Sequence, residues 1–293
     1  MDISRQLLSK YKNQNHFTRI PNILPPLVKQ TKLTIEDILP ENEQYDLVYI
    51  LKPSEKNWDL RYSLRSVEKF CKYRNIWFVG YKPTWAQNVK YIQTIQNKDK
   101  WKNSVLNYRK ACESPQISEN FILMNDDFFA LEPIIDWKEN LNVCLGTLSQ
   151  EVEAYKDNPK KSKWRWAFDY AQELLDTLNC KTNWNYESHL PIIINKENFL
   201  KMLSMPEIIE FQETNKVLHK RSVYKNLFPD LDMPEPRIIE DVKITLKFDL
   251  SQKWLHESWL SVFDDVTNNI LRYPKLNSFL IKNFPLKSKY EKL

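Results

Sequence analysis

A chain of 293 residues, 42% hydrophobic and 28% charged, has enough apolar material for one large domain or two small ones in an ordinary globular balance. Its formal charge of +5 is spread along the chain, which suits phosphate-bearing partners but lacks the dense Lys/Arg run of a dedicated nucleic-acid binder. Only two glycines occur, Gly80 and Gly146, which excludes a Walker loop, a dinucleotide fingerprint and the G-x-S-x-G elbow of many hydrolases. Any phosphorylated ligand must then be neutralised by cationic side chains or a metal ion.

Residues 1–44 are polar with prolines in "RIPNILPPL" and read as an N-terminal extension on a domain spanning 45–293. The domain opens with "YDLVYILKP" (45–53), a short apolar run stopped by proline and hence a strand. In "DLRYSLRSVEKFCKY" (59–73), Leu60, Leu64, Val67 and Phe70 recur at helical spacing. "NIWFVGY" (75–81) and "NVKYIQT" (88–94) read as strands, "WKNSVLNYRKACES" (101–114) as a helix ended by Pro115, and "ENFILMN" (119–125) as a further strand. That alternation predicts an α/β fold with a mostly parallel sheet flanked by helices. Downstream, "WRWAFDYAQELLDTL" (164–178) reads as a helix, "LPIIIN" (190–195) as a strand and "KENFLKMLSMP" (196–206) as a helix. The remainder reads as largely helical, with a loop at Pro229, Pro234 and Pro236.

Cys71, Cys112, Cys144 and Cys180 match no zinc spacing and are expected as reduced, mostly buried thiols. The first residues hold no apolar signal core and no run approaches bilayer length, so a cytoplasmic protein without a transmembrane segment is expected.

The stretch "FILMNDDFF" (121–129) places Asn125, Asp126 and Asp127 where an apolar strand should end. In open α/β sheets, ligands bind at the carboxyl ends of the strands. Two adjacent hard oxygen ligands there suit Mg²⁺ or Mn²⁺ bridging the phosphates of a nucleotide. The plainer reading is that one aspartate caps a turn or helix.

Taken together, "LRYSLRSVEKF" (60–70), "WFVGYKPTWAQNVKYI" (77–92) and "ISENFILMNDDFF" (117–129) resemble the Stealth family. These are sugar-phosphate transferases of capsule synthesis, related to nucleotide-sugar glycosyltransferases of the GT-A fold. The likeness continues weakly through "YESHLPIIINKENFL" (186–200) and "KRSVYKNLF" (220–228). The family's acidic, glycine-containing motif after the first strand is replaced here by "ILKPSEKNWD", without glycine. The resemblance therefore implies the broader expectation, a GT-A-like transferase using a nucleoside-diphosphate sugar.

On that expectation Asp126 and Asp127 hold the metal, with Asp127 counted among the catalytic residues and Asn125 beside them on the donor. Arg61 and Arg65 share one helix face and pair with the donor diphosphate, or else form a solvated face with Glu68 or Asp59. Lys102 and Asn103, with Lys98 and Lys100, open a helix and touch the nucleotide, or else belong to a surface loop. Glu187 and His189 are candidate bases for the acceptor hydroxyl. Arg221 meets donor phosphate or acceptor, or is a helix-surface arginine. Glu240, Asp241, Asp264 and Asp265 are late acidic pairs suited to metal, base or cap, and His16, His219 and His256 lack such company. The acceptor is a glycan or a modified nucleic acid. The competing readings are sugar-1-phosphate transfer, a non-enzymatic nucleic-acid or glycan-binding protein, and a transferase acting on modified DNA.

Overall fold

The run DLVYI (Asp46–Ile50, β1) is buried along almost its whole length, the mark of a strand covered on both faces. It lies at the centre of a five-stranded sheet in the computed structural model, which describes residues 45–96, 99–158, 160–214, 216–244, 258–262 and 274–292. The expected extension 1–44, Lys98, Asp264, Asp265, His16 and His256 lie outside the described residues.

β2 (Ile76–Gly80), β3 (Lys90–Gln93) and β4 (Asn120–Met124) complete the parallel part, joined through α1 (Trp58–Phe70) and α2 (Lys100–Glu113). After the acidic turn come β5 (Phe128–Ala130), α3 (Trp137–Leu141), β6 (Val143–Cys144), α4 (Leu148–Tyr155) and α5 (Lys163–Thr177). β7 (Ile192–Asn195) then returns antiparallel to β4, so the order is β3-β2-β1-β4-β7. α6 (Lys196–Leu203), α7 (Pro206–Glu213) and α8 (Lys220–Leu227) follow, and then β8 (Arg237–Ile238), β9 (Lys243–Ile244), β10 (Trp259–Val262) and α9 (Pro274–Asn283). The fold is the α/β class expected, a mostly parallel sheet flanked by helices.

Alternation along the strands divides the core. Leu47, Tyr49, Phe78, Ile122 and Met124 pack with Leu60, Leu64 and Trp259 on one face. Val48, Trp77, Val79, Phe121 and Leu123 pack with Tyr108, Phe168, Phe199 and Tyr224 on the other. A third cluster of Tyr62, Phe129, Leu260, Leu276, Leu280 and Phe284 joins α1, β5, β10 and α9.

Beyond 200 the described residues hold α7, α8 and α9, the helix-rich part expected, together with three short strands that were not expected: β10 pairs antiparallel with β5 and parallel with β9, and β8 pairs with β6. These strands have two to four residues, too few to show a period, and find partners far away in sequence. The cysteines are free, with Cys112 and Cys144 buried and Cys71 and Cys180 half-buried.

At the amino end of β1, Asp46 is fully buried. Arg74 grips both of its oxygens, Asn75 Nδ2 donates to Oδ1 at 2.9 Å, and the Ser118 amide donates to Oδ2 at 2.8 Å. Burial pushes the pKa up, but these bonds outweigh it and hold the carboxyl below its usual 3.8. A depressed folded-state pKa adds stability above the unfolded value and loses it as pH falls through the folded value. Asp46→Asn should therefore cost about 1–3 kcal/mol at neutral pH by urea titration, a gap that stays flat down to about pH 5 and narrows below 4.

Candidate functional site

The strand order reverses between β1 and β4, and α/β sheets bind ligands in the crevice outside the carboxyl ends at such a point. The chain leaving β1 runs to Asn57, which caps α1 by accepting from the Leu60 amide at 3.1 Å. Asn57 also donates from Nδ2 to Asp126 Oδ2 at 2.9 Å, tying the two loops of the switch point together. Asn57 has φ 28°, a left-handed conformation that asparagine tolerates better than most residues.

Asn125, Asp126 and Asp127 form the turn between β4 and β5 and cap no helix. Asn125 and Asp126 are half-buried. Asp127 is buried and accepts from Ser261 Oγ at 3.1 Å. Ser261 is reachable only because β10 pairs with β5, with Ser261 opposite Phe128. The sequence offers no hint of this partner.

On the β3 side of the crevice, Gly80 ends β2 at φ +110°. A Cβ there would strike the Leu51 carbonyl and the Gln96 amide, so glycine is what lets Gln96 Nε2 donate to that carbonyl at 2.7 Å. Asn107, buried on α2, accepts from Thr94 Oγ1 at 2.7 Å. Asn103 is buried one turn earlier on the same helix.

On the other side, β7 begins opposite Leu123, so the segment before it reaches the same rim as the acidic turn. Within it Glu187 is buried and accepts from the Ser222 amide at 3.1 Å, with Oε2 facing His219 Nδ1 at 3.6 Å. Burial raises its pKa, but His219, Arg221 and Ser222 outweigh that and bring it to about 2. Glu187 is thus held as a buried carboxylate among His219, Arg221 and Ser222, which favours it as a brace for these groups.

His189 is arranged differently. Its Nδ1 lies 2.9 Å from Asp241 Oδ2 and 3.0 Å from Oδ1. Burial raises the Asp241 pKa, but the bonds and charge of His189 outweigh it and hold it low. A carboxylate on Nδ1 orients the ring and leaves Nε2 as the basic nitrogen. His189 was expected beside Glu187, and its structural partner is Asp241.

Arg221 is buried, and its Nη1 donates to the Ser188 carbonyl at 3.1 Å and to that of Leu190. Its guanidinium lies 5.4 Å from the Phe128 ring, one residue past the acidic pair, and its buried Nη2 has no hydrogen-bond partner. Arg221 is thus a cation that contacts the residue directly after the acidic pair.

Arg61 and Arg65 do not keep the role expected of them. Arg65 donates from Nε and Nη2 to Glu291 at 2.7 and 2.8 Å and from Nη1 to the Phe284 carbonyl at 3.2 Å. Arg61 Nη1 donates to Glu291 at 3.2 Å, and its guanidinium stacks 3.9 Å over Trp85. Their charges are spent on a buried carboxylate, neither on a solvated face with Glu68 or Asp59 nor on an open phosphate seat. Lys102 lines a cavity of about 660 Å³ beside α2, together with other lysines.

Among the described residues, no three His, Cys, Asp or Glu side chains come together as a metal cluster. No helix among them is long and apolar enough to cross a membrane.

No protein-family model and no curated protein matches the chain. Among solved structures, the glycosyltransferase GlyE of Streptococcus pneumoniae TIGR4 aligns at 11% identity and a TM-score of 0.36, over 84% of this chain and 52% of that one. This chain thus spans about half the length of that protein. Mouse xyloside xylosyltransferase 1 in its apo form aligns at 10% identity and a TM-score of 0.40, over 74% of this chain and 97% of that one. With TM-scores below 0.5, neither likeness bears on the function.

Proposed function

We propose that the crevice between β1 and β4 binds a nucleoside-diphosphate sugar and transfers its sugar to an acceptor hydroxyl, as a GT-A-like glycosyltransferase. The observation that carries this reading is the adjacent pair Asp126 and Asp127 at the carboxyl end of β4, at the reversal of strand order, each braced by a residue from another element.

Two adjacent carboxylates, which join no larger His, Cys, Asp or Glu cluster among the described residues, fit an oxygen-preferring ion that takes further ligands from a diphosphate and water. Asp126 and Asp127 would hold Mn²⁺ or Mg²⁺, and hydrogen bonds to ligating carboxylates, as from Asn57 and Ser261, are the usual support. Such an ion supplies charge neutralisation to a departing diphosphate. Asn125 and Asn103 offer neutral polar contacts to the nucleotide, and Arg221 Nη2 offers a donor to its phosphate. In the transfer, the acceptor oxygen bonds to the anomeric carbon and its proton passes to His189 Nε2. The bond from that carbon to the diphosphate oxygen breaks, and the electron pair leaves with the diphosphate. Asp241 stabilises the imidazolium that results.

Product analysis after incubation with nucleotide sugars and Mn²⁺ tests this. Glycosyl transfer releases nucleoside diphosphate, and His189→Ala should lower kcat about 10²–10⁴-fold, with Asp241→Asn in between. Release of nucleoside monophosphate would move the protein to sugar-1-phosphate transfer, and full turnover by His189→Ala would remove the base.

A further inference from the structure

The described helices follow a rule with a localised exception. α1, α3, α4, α6 and α7 each carry an acid in the first turn, Asp59, Glu139, Glu151, Glu197 and Glu207. Negative side chains belong there because the unpaired amides and the helix dipole make that end positive. α2, α5 and α8 have no acid in the first turn, and each opens on a lysine, Lys100, Lys163 and Lys220. α9 also lacks an acid, but it lies apart from these three. A lysine at the positive end of a helix is unfavourable, and here three such ends meet at the same cavity of about 660 Å³.

Lys102 and Lys216 add two more cations to the lining, against Asp99 as the lining carboxylate. Asp99 accepts from the Trp101 and Lys102 amides as the cap of α2. Lys220 is 8% exposed, and its Nζ has no hydrogen bond or ion pair among the described residues, only the face of Tyr108 at 5.5 Å. Burial brings its pKa down to about 8, with the charge of Glu187 acting in the opposite sense. A bound anion would turn each of these unfavourable placements into a favourable one. The walls also include Trp101, Phe211 and Leu218, and Trp101 stacks on Trp164 at 6.1 Å. Cations set in apolar walls suit a phosphate carried on an organic body better than a free inorganic ion. Lys220 of the cavity wall is followed on α8 by Arg221, the residue that contacts Phe128 beside the acidic turn.

We propose that this cavity is a phosphate-ester site seating the phosphoryl group of the acceptor, so that the acceptor is a phosphorylated sugar or a similar small phosphomonoester. The assignment to the acceptor rests on the transferase reading above.

The test is calorimetry on the full chain with glucose 6-phosphate, glucose and inorganic phosphate as probes, and separately with nucleoside diphosphates plus Mn²⁺. Lys102 and Lys163 are exposed, so Lys102→Ala/Lys163→Ala should fold normally. The double variant should weaken glucose 6-phosphate binding by about tenfold or more, with nucleotide binding unchanged and glucose not bound by either form. Asp127→Asn should show the reverse pattern. If nucleotide and sugar phosphate weaken together in the lysine variant, the cavity is the donor's diphosphate seat and the acceptor assignment falls. If glucose 6-phosphate does not bind the unaltered protein, or binds the lysine variant equally well, the site itself is refuted. If it binds through the lysines while no nucleotide binds at all, the phosphate site stands and the transferase reading alone is overturned.

Discussion

Asp127→Asn is expected to abolish metal-dependent donor turnover, lowering kcat/KM about 10³-fold, while the protein stays folded. The substitution keeps the size of the side chain and an oxygen for Ser261 Oγ, which now donates at 3.1 Å. It removes the negative charge. A divalent ion contributes several kcal/mol of charge stabilisation at a phosphoryl oxygen, and each 1.36 kcal/mol is a factor of ten in rate. Asp126→Asn should act in the same direction and less strongly, since Asp126 is half-buried and Asn57 still bonds its oxygen. Steady-state kinetics with Mn²⁺ titration, alongside circular dichroism, checks both variants. Full metal-dependent turnover by Asp127→Asn would show that the carboxylate is only a turn-stabilising group.

Glu291→Ala is expected to be among the most destabilising single substitutions, at about 3–5 kcal/mol, with a fall in Tm of roughly 10 °C. Glu291 is 3% exposed and takes Arg65 on two bonds, Arg61 on a third, and the Ser288 amide at 3.0 Å. Removing it takes away the buried carboxylate that pairs with both largely buried guanidinium groups. Neighbouring contacts would loosen with it: the Tyr73 and Tyr290 hydroxyls meet at 2.8 Å, and the Lys292 amide donates to the Trp85 carbonyl at 2.8 Å. Burial raises the Glu291 pKa, but Arg65, Ser288 and Arg61 outweigh it and hold it below 4.5. Its contribution is then present above pH 4.5 and lost as the pH falls through its folded value, so Glu291→Ala and the unaltered protein should converge in stability under acid. Urea titration across pH 3–7 reads this directly, and a loss under 1 kcal/mol at neutral pH would mean that the arginines find water or another partner.

The central sheet was legible because β1, β2, β4 and β7 are apolar runs closed by proline or polar residues, and because the helices between them carry a clear period. The site was legible only in part. Asp126 and Asp127 could be placed at the sheet rim, since that depends on one strand and its end. Their braces could not: Asn57 lies 69 residues from Asp126, and Ser261 lies 134 residues from Asp127 on a short strand. Arg61 and Arg65 misled for the same reason, since the carboxylate they serve lies 226 residues beyond Arg65. His189 is separated from Asp241 by 52 residues, and both were visible only as separate candidates. Local signals such as caps, runs and periods are written within a few residues. Charge pairing across elements depends on the closed fold.

The most direct test of the donor site is a thermal-shift measurement on the unaltered protein with nucleoside diphosphates and nucleotide sugars, with and without Mn²⁺ or Mg²⁺. A ligand that binds only the folded state raises its apparent stability by mass action, by about 2.7 kcal/mol at a hundredfold excess over Kd. A donor site there should give a rise in Tm for one nucleotide family that requires the metal and disappears in Asp127→Asn. No shift with any nucleotide, metal present or absent, would contradict a donor site between β1 and β4.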